Sequence, residues 1–396
     1  MDIVIIADFC GTFDGTDNNR FAYLANMLRD NNNVEIITSD FNHGKKTYFE
    51  KIAKKFSYKL TMLHEPFYPT NVCLRRFYSH YIWGRNVAKY LNQRERPDVI
   101  YCAVPTLKAA NEAAKYCEKN DIRFIIDIQD LWPEAFQMVF NFPVLSSFIF
   151  YPMKRQSEKI YSMADEIIAV SNIYCQRAME VNTKCKVAHP VYIGTPASSF
   201  DKFISGQTKY VKDDNATWIA YCGTLGSSYD ITCVIDALAI LKNRGYGNIT
   251  FIVMGDGPLE LQFKKYANNA KITTVFTGRI PYGDMVSLLC KCDLTVNPIV
   301  KNSVATIINK HADYAACGLP VVNTQESSEY RSFVKNYEMG FNCKNGDPDD
   351  LAEKIEILIN DIQLRKRMGE NARKAYEKMF NREKTYNEIV NVILNK

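Results

Sequence analysis

The stretch TIINKHADYAACGLPVVNT, residues 306–324, predicts a helix followed by a buried strand. Gly318 suits the residue just beyond a helix end, and Pro320 cannot continue a helix. Val321 and Val322 are typical of a strand that is buried on both of its faces. Strands of this kind occur in parallel sheets, so the stretch favours an α/β fold.

The predicted helix carries three polar residues along one edge. Asn309 and Asp313 are four residues apart, and Lys310 and Asp313 are three apart, which places them as neighbours on a helix. A helix that begins near Asn309 would offer free N–H groups to a phosphate, and Asp313 could accept two hydroxyl hydrogen bonds from a ribose. An ordinary surface helix with a lysine–aspartate pair explains the same spacing.

Buried strands alternate with helices on both sides of this stretch and throughout the chain, for example the strands at Val99–Val104 and Ile249–Met254. The alternation predicts doubly wound parallel sheets, and 396 residues are too many for one core. We therefore predict a first domain at residues 1–200, a linker at 201–215, a second domain at 216–378 and a C-terminal helix at 379–396. The apolar face of that helix needs a surface to cover, and we expect it to return to the first domain. Ligands of such sheets bind at the carboxyl ends of the strands, so we expect a cleft between the domains.

The composition is that of an ordinary globular protein. The net charge is only +5, which does not predict binding to nucleic acid. The twelve cysteines include no CxxC pair, and the five histidines show no paired metal-ligand spacing, so we expect reduced thiols and no metal site. The apolar segment Ala135–Met153 is broken by prolines, and Ile3–Ala7 is a strand rather than a signal peptide. Together these features predict a cytoplasmic protein.

Two loops that follow strands of the second half contain small residues. The first loop includes Gly223, Thr224, Leu225 and Gly226, and its backbone N–H groups could approach a diphosphate. The second includes Gly278, Arg279 and Ile280, where the arginine could meet a phosphate. A tight strand–helix turn and an exposed loop arginine are the alternatives. Neither loop is a GxGxxG after the first strand, so binding of a dinucleotide is not predicted.

Two loops of the first half are candidates for a second ligand. The loop after the first strand contains Gly11, Asp14 and Gly15, and two glycines there suggest close approach of the backbone to a ligand. A later strand ends just before Gln129, Asp130 and Glu134, and these polar residues would line the cleft. A flexible glycine loop, and an Asp130 that only caps the next turn, are the alternatives.

The segment from residue 41 to 96 is rich in basic and aromatic residues. It holds twelve lysines and arginines but only three glutamates, with aromatic residues between them. This mixture suits an anionic membrane surface or a lipid-diphosphate acceptor, and it also resembles a weak nucleic-acid patch. A solvated helix face with aromatic residues in the core explains the same composition.

In their order along the chain, these motifs resemble those of glycosyltransferase family 4. The residues that carry the resemblance are the Gly11–Gly15 loop, DLWPE at 130–134, DEIIAVS at 165–171, GTLG at 223–226, GDGP at 255–258, TGRIP at 277–281 and the stretch from Asn309 to Val322. The resemblance implies a GT-B fold with two Rossmann-like domains. DLWPE looks most like the subgroup that builds capsule, O-antigen and exopolysaccharide.

The resemblance also implies roles for individual residues. In the family the helix carboxylate that holds the ribose is usually glutamate, and here Asp313 takes that position. A second glutamate that touches the sugar is often found seven residues earlier, and here the residue is Thr306. Ser227, Ser228 and Tyr229 replace a common arginine and lysine pair, so the phosphate charge falls on Lys310, Arg279, Lys301 and backbone N–H groups.

These implications predict a retaining glycosyltransferase that uses a nucleotide-diphosphate sugar, most simply a UDP-sugar, and a lipid-linked or glycan acceptor at the inner membrane face. No cofactor and no metal are expected. We predict Lys310, Arg279 and Asp130 as catalytic residues. The alternatives are a non-catalytic subunit of the same fold that supports a partner transferase, and a nucleotide-sugar 2-epimerase, for which only His189 offers a candidate histidine.

Overall fold

The computed structural model describes residues 1–11, 19–50, 56–71, 73–137, 143–303 and 306–395. Its strands are β1 Asp2–Ile6, β2 Asn33–Ser39, β3 Phe41–Asn42, β4 Thr47–Tyr48, β5 Lys59–Leu63, β6 Val99–Val104, β7 Arg123–Ile128, β8 Glu166–Ala169, β9 Ala188–Pro190, β10 Thr217–Cys222, β11 Ile249–Met254, β12 Thr274–Gly278, β13 Leu294–Asn297, β14 Val321–Asn323 and β15 Gly340–Asn342.

The helices alternate with these strands along the chain. They are α1 Arg20–Leu28, α2 Leu74–Leu91, α3 Leu107–Asn120, α4 Glu134–Gln137, α5 Pro143–Met163, α6 Asn172–Met179, α7 Ala197–Ile204, α8 Ile231–Asn243, α9 Glu260–Asn269, α10 Tyr282–Leu289, α11 Asn309–Ala316, α12 Ser328–Asn336, α13 Pro348–Asn360, α14 Ile362–Ala375 and α15 Arg382–Leu394, with a π-helical turn at Tyr376–Phe380. Within the described residues, no helix combines the length and the apolarity needed to cross a bilayer.

The chain forms two compact units, Met1–Tyr192 with Tyr386–Lys396, and Ile193–Thr385. The first unit is built on a seven-stranded sheet with the order β5-β2-β1-β6-β7-β8-β9. Every pairing in it is parallel. The central strands are almost wholly buried because helices cover both of their faces, as their continuous Val and Ile runs predict.

The second unit is built on a six-stranded parallel sheet with the order β12-β11-β10-β13-β14-β15. The strand order changes direction between β10 and β13. The amphipathic helices α8 and α13 bury their apolar residues against strands β10, β11 and β13 in one core. Both units are therefore open, doubly wound α/β sheets.

The C-terminal helix belongs to the first unit from Tyr386 onward. The guanidinium group of the buried Arg20 donates two hydrogen bonds to Asp127, at 2.7 and 3.1 Å, and one to the hydroxyl of Tyr386 at 3.1 Å. Arg123 also donates to the backbone carbonyl of Ile393 at 2.9 Å. These bonds join α15 to strand β7 and helix α1, and Ile389 completes the same core.

The chain passes between the units at different places from the linker that we expected at 201–215. Residues 197–204 form helix α7, and the segment before it is held inside the second unit. The N–H of Thr195 donates to the carbonyl of Phe380 at 2.9 Å, and Arg382 donates to the carbonyl of Gly194 at 2.8 Å. Local polarity does not reveal these contacts because the partners are separated by more than 180 residues in the sequence.

Candidate functional site

The carboxyl edge of the second sheet has the topology of a ligand site. Strands β10 and β13 are neighbours in the sheet, and the strand order reverses between them. The helices that follow these two strands therefore cover different parts of the sheet. Open α/β sheets bind ligands outside the strand ends at such a reversal. The loop at residues 223–226 follows β10, and helix α11 follows β13, so the two motifs predicted from the sequence meet at this point.

Three loops at this edge are held together through their glycines. Gly255 has a φ of +139°, and a Cβ atom on it would lie 2.0 Å from the carbonyl oxygen of Gly223. Its N–H donates to the carbonyl of Gly278 at 3.1 Å. The N–H of Leu225 in turn donates to the carbonyl of Asp256 at 2.8 Å. The loops after β10, β11 and β12 therefore form one packed unit, and glycine at position 255 is a steric requirement.

Lys310, in the first turn of α11, is the most unusual group at this edge. Its side chain is buried, with only 7% of the residue exposed. The ammonium nitrogen lies 4.2 Å from the ring centre of Tyr221 and 3.8 Å from that of Tyr229, and these two rings supply cation–π contacts. Within the described residues it has neither a hydrogen-bond acceptor nor an ion-pair partner. Burial lowers the pKa of Lys310 to about 7.

Gly223 makes room for this ammonium group. The φ of Gly223 is +144°, and a Cβ atom there would lie 2.7 Å from Nζ of Lys310. The lysine therefore ends directly against the backbone of the 223–226 loop. A buried cation with no anion beside it is costly unless a ligand supplies the negative charge. The exposed lysine–aspartate pair that could explain the 310–313 spacing does not form.

Asp313 lies one turn further along α11 and is partly buried. One of its oxygens, Oδ1, accepts hydrogen bonds from the hydroxyl groups of Tyr282, at 2.7 Å, and Thr195, at 3.1 Å. Burial raises the pKa of Asp313 to about 6, although both hydrogen bonds oppose that shift. The described residues donate nothing to the second oxygen, Oδ2. Asp313 is therefore oriented by the protein and has one oxygen available to a ligand.

The segment before α11 is anchored by buried amides. Asn297 donates to Asn323 at 2.8 Å and to Gln325 at 3.0 Å, and Gln325 donates to the carbonyl of Thr306 at 2.8 Å. The hydroxyl of Thr306 is buried and has no partner in the part of the chain that the structure describes. His311 stacks on Tyr330 with the ring centres 3.4 Å apart. These contacts fix the position from which Lys310 and Asp313 project.

The remaining predicted residues of the second unit are more exposed. Arg279 and Asn309 are exposed, and neither side chain has a hydrogen bond or an ion pair to another described residue. Arg279 follows β12, which is separated from β10 by β11. Thr224 is exposed, Leu225 is buried, and Gly226, Gly278 and Ile280 are partly buried. A ligand that contacts both Lys310 and Arg279 must therefore extend across the ends of three strands.

The sequence did not identify four residues that shape this site. Tyr221 and Tyr229 flank the lysine, and Thr195 and Tyr282 orient the aspartate. Tyr221 and Tyr229 lie on either side of the glycine loop in the sequence, and this placement could have indicated that they line the site. Nothing local pointed to Thr195, which is 118 residues from Asp313.

The candidates in the first unit lie at the carboxyl edge of its own sheet. Gly11 is exposed with a φ of +80°, whereas Asp14 and Gly15 lie outside the described residues. Asp130 accepts a hydrogen bond from the N–H of Leu131 at 3.0 Å, and burial raises its pKa to about 6. Gln129 is partly buried, and its side-chain nitrogen has no acceptor within the described residues.

Glu134, the last candidate of the first unit, is already paired with another side chain. It accepts a hydrogen bond from Arg177 at 2.9 Å within an ion pair. That partner makes Glu134 a weaker candidate for binding a ligand than Asp130 or Gln129. Its role at the acceptor site stays a prediction.

Comparison with known proteins identifies the second unit. Residues 206–375 match the family of glycosyl transferases group 1. This segment of the second unit is similar to group 1 glycosyl transferases. The predicted fold and the predicted resemblance to glycosyltransferases are thereby confirmed.

Two curated proteins are similar to this chain at low identity. The capsular polysaccharide biosynthesis glycosyltransferase CapM of Staphylococcus aureus is 26% identical over 314 residues, which are 76% of this chain and 77% of CapM. An uncharacterized glycosyltransferase of Methanocaldococcus jannaschii is 25% identical over 222 residues, 56% of this chain and 57% of that protein. The chain thus spans little more than half the length of the latter relative.

A solved structure shows the same fold over the full length. Anabaena Alr3699/HepE in complex with UDP has a TM-score of 0.71 and 16% sequence identity, with all of both chains covered. At this identity the likeness establishes the GT-B fold alone.

Proposed function

We propose that the protein is a retaining glycosyltransferase that moves a sugar from a UDP-sugar to a lipid-linked or glycan acceptor in the synthesis of a bacterial surface polysaccharide. The observation that carries this proposal is the buried, unpartnered ammonium of Lys310 beside Gly223. The UDP bound to HepE, which shares the fold, supports the nucleotide. The capsular assignment of CapM supports the pathway class.

The donor site would hold the diphosphate between the loop at residues 223–226 and the first turn of α11. The Lys310 ammonium and the free N–H groups of that turn supply positive charge, and Arg279 meets the other end of an extended nucleotide. Asp313 offers its free oxygen to a ribose hydroxyl. The same charges stabilise the UDP leaving group as the glycosidic bond to it breaks, so donor binding and catalysis use one set of groups. With this charge supplied by the protein, the donor site needs no metal.

The acceptor would bind at the carboxyl edge of the first sheet. Gly11 lets the backbone approach a ligand, and the oxygens of Asp130 and Gln129 can accept hydrogen bonds from sugar hydroxyls. Asp130 is our candidate for the group that handles a proton of the acceptor, because its pKa of about 6 lies close to neutral pH. Retention of configuration follows from the family resemblance rather than from a residue pair.

A calorimetric screen of nucleotides and nucleotide sugars against the purified protein tests this function. We expect UDP and at least one UDP-sugar to bind in a one-to-one ratio, and ADP, GDP and their sugars to bind at least tenfold more weakly. Prolonged incubation with the UDP-sugar that binds should release UDP. Binding without any release would favour the non-catalytic subunit, and the absence of all UDP binding would contradict the proposal.

The proposed site of action at the inner membrane face is supported by exposed apolar residues on two helices. Leu74 in α2 and Phe148 in α5 are 86% and 74% exposed. Phe77 of α2 and Phe150 of α5 both contact Phe136, which brings these two helix starts together in the first unit. Tyr78, Ile149 and Tyr151 are exposed on the same helices, next to basic residues.

We expect the double variant Phe148→Ser and Leu74→Ser to sediment at least threefold less with vesicles that contain anionic lipid, because apolar area buried in the interface drives such binding. The matched control is Leu261→Ser, which removes a residue that is 81% exposed on α9 of the second unit. Equal sedimentation of all three proteins would contradict the membrane role. Lys51, Lys54 and Lys55 belong to the basic segment at residues 41–96, and we predict that reversing their charge reduces binding to anionic vesicles; they lie outside the described residues.

A further inference from the structure

Three residues with metal-binding side chains meet inside the first unit. Asp8 follows strand β1, Glu65 follows β5, and His80 lies in α2. One possible ligand atom from each lies within 4.8 Å of the others. The three residues are only 5%, 1% and 5% exposed. Their separation along the chain explains why no histidine spacing in the sequence indicated a metal.

Asp8 is the unsatisfied member of this cluster. Neither of its carboxylate oxygens accepts a hydrogen bond from a donor in the described part of the chain. The carboxylate of Glu65 faces Asp8 within this buried cluster. A buried carboxylate without donors is strongly disfavoured, and a second carboxylate beside it adds repulsion. Within the described residues, no lysine or arginine forms an ion pair with either carboxylate.

Glu65 and His80 are held in fixed orientations around Asp8. Glu65 accepts hydrogen bonds from the hydroxyl groups of Ser39, at 2.6 Å, and Ser79, at 2.7 Å. The His80 ring stacks on Trp132 with an angle of 6° between the planes, and its Nε2 lies 3.8 Å from Glu65. Nε2 of His80 accepts a hydrogen bond from Arg76, so this nitrogen carries a lone pair that a cation could use. In metal sites, hydrogen bonds and packing contacts of this kind hold the ligand side chains in the orientation that the metal needs.

Arg76 is the competitor for this site. Its Nε donates to Nε2 of His80 at 3.4 Å, which is a long bond. The same guanidinium group donates to the carbonyl of Asn71 at 2.8 Å and lies 5.0 Å above the ring of Trp132. Arg76 can therefore leave the histidine nitrogen and keep its other contacts. Lys46 lies beside Tyr68 in the same neighbourhood and adds positive charge near the cluster.

We propose that Asp8, Glu65 and His80 form a binding site for one divalent transition cation such as Mn²⁺ or Zn²⁺. Two carboxylates and one imidazole suit these ions better than Mg²⁺ or Ca²⁺, which favour oxygen ligands alone. The cation would supply the positive charge between the two carboxylates. Three protein ligands leave a position open to water or to an oxygen of a bound molecule. The site goes beyond the proposed transferase function, whose donor site needs no metal.

Titration of the chelator-treated full-length protein with Mn²⁺, followed by electron paramagnetic resonance, tests the site. Mn²⁺ is the suitable probe because it binds thiols weakly and the chain has twelve cysteines. We expect one bound ion per chain, with a pulsed-resonance coupling to one imidazole nitrogen. Asp8→Asn and His80→Gln should each weaken binding at least tenfold, and His80→Gln should remove the nitrogen coupling. Arg76→Leu should tighten binding because the competing cation is gone.

The matched control is His64→Gln, which removes a histidine that pairs with Asp40 at 3.0 Å on the surface. This variant should bind Mn²⁺ as the wild type does. If Asp8→Asn does not fold, Mn²⁺ titration of His80→Gln and Glu65→Gln tests the proposal instead, because both variants keep the aspartate in place. The proposal is overturned if the wild type takes up no stoichiometric Mn²⁺, or if His80→Gln retains both the affinity and the nitrogen coupling.

Discussion

Replacing Lys310 with methionine is expected to slow sugar transfer by about 100-fold, which is the usual effect of removing one preorganised group that stabilises developing charge. Methionine is unbranched and only one heavy atom shorter than lysine, so it can pack between Tyr221 and Tyr229 while the charge is removed. Affinity for UDP should fall by roughly 10- to 100-fold, as when a charge-assisted hydrogen bond is lost. The rate is measured as UDP release and the affinity by calorimetry.

The same variant should be no less stable than the wild type, which separates the loss of function from a loss of folding. The pKa of Lys310 is lowered from 10.5 in the unfolded chain to about 7 in the folded protein. Between these values the unfolded chain binds more protons, so the free energy of unfolding of the wild type rises with pH across this window. That rise should be smaller in Lys310→Met. Lys265→Met, an exposed position on α9, is the control and should change neither activity nor pH dependence. Near-wild-type transfer by Lys310→Met would refute the role of the lysine.

Replacing Gly255 with alanine is expected to destabilise the second unit by about 2–5 kcal/mol, the sum of a strained backbone and an overpacked contact. Its φ of +139° is unfavourable for any side chain, and the new Cβ would press on the carbonyl oxygen of Gly223 at 2.0 Å. Because that atom belongs to the backbone, it cannot rotate away. The loop at residues 223–226 must then move from Lys310, so UDP binding should weaken as well. Chemical unfolding and calorimetry measure the two effects.

Gly247→Ala is the control for this change, since a Cβ atom there meets nothing within 4 Å. It should alter the free energy of unfolding by less than about 0.5 kcal/mol, as is usual for surface substitutions. If Gly255→Ala were as stable as this control, the interlocked arrangement of the three glycine loops would be wrong.

The alternation of apolar strands and helices was enough to predict both sheets. Val99–Val104 and Ile249–Met254 were predicted with the bounds that the structure gives them. Such strands are buried on both faces, so their sequences carry an uninterrupted apolar signal. The limits of the two units were not predictable in this way. They depend on contacts such as that of Gly194 with Arg382, which join distant parts of the chain.

The candidate donor site was predictable in its backbone but not in its side chains. The sequence indicated the loops at Gly223 and Gly278 and the end of α11, because such turns require particular residues. The aromatic contacts of Lys310 were not, because the direction in which Tyr221 and Tyr229 project depends on tertiary packing. The cluster of Asp8, Glu65 and His80 was hidden for the same reason, since its members come from three separate elements.

The central claim is that the buried ammonium of Lys310 receives the diphosphate of the donor. The most direct test is calorimetry of UDP binding at pH 8 in buffers of different ionisation enthalpy, which counts the protons taken up. With a pKa of about 7, Lys310 is mostly neutral at that pH in the free protein, and the diphosphate would restore its charge. We predict an uptake of roughly 0.9 proton per UDP in the wild type. Lys310→Met should show none. UDP binding without proton uptake in the wild type, or equal uptake in both proteins, would contradict the claim.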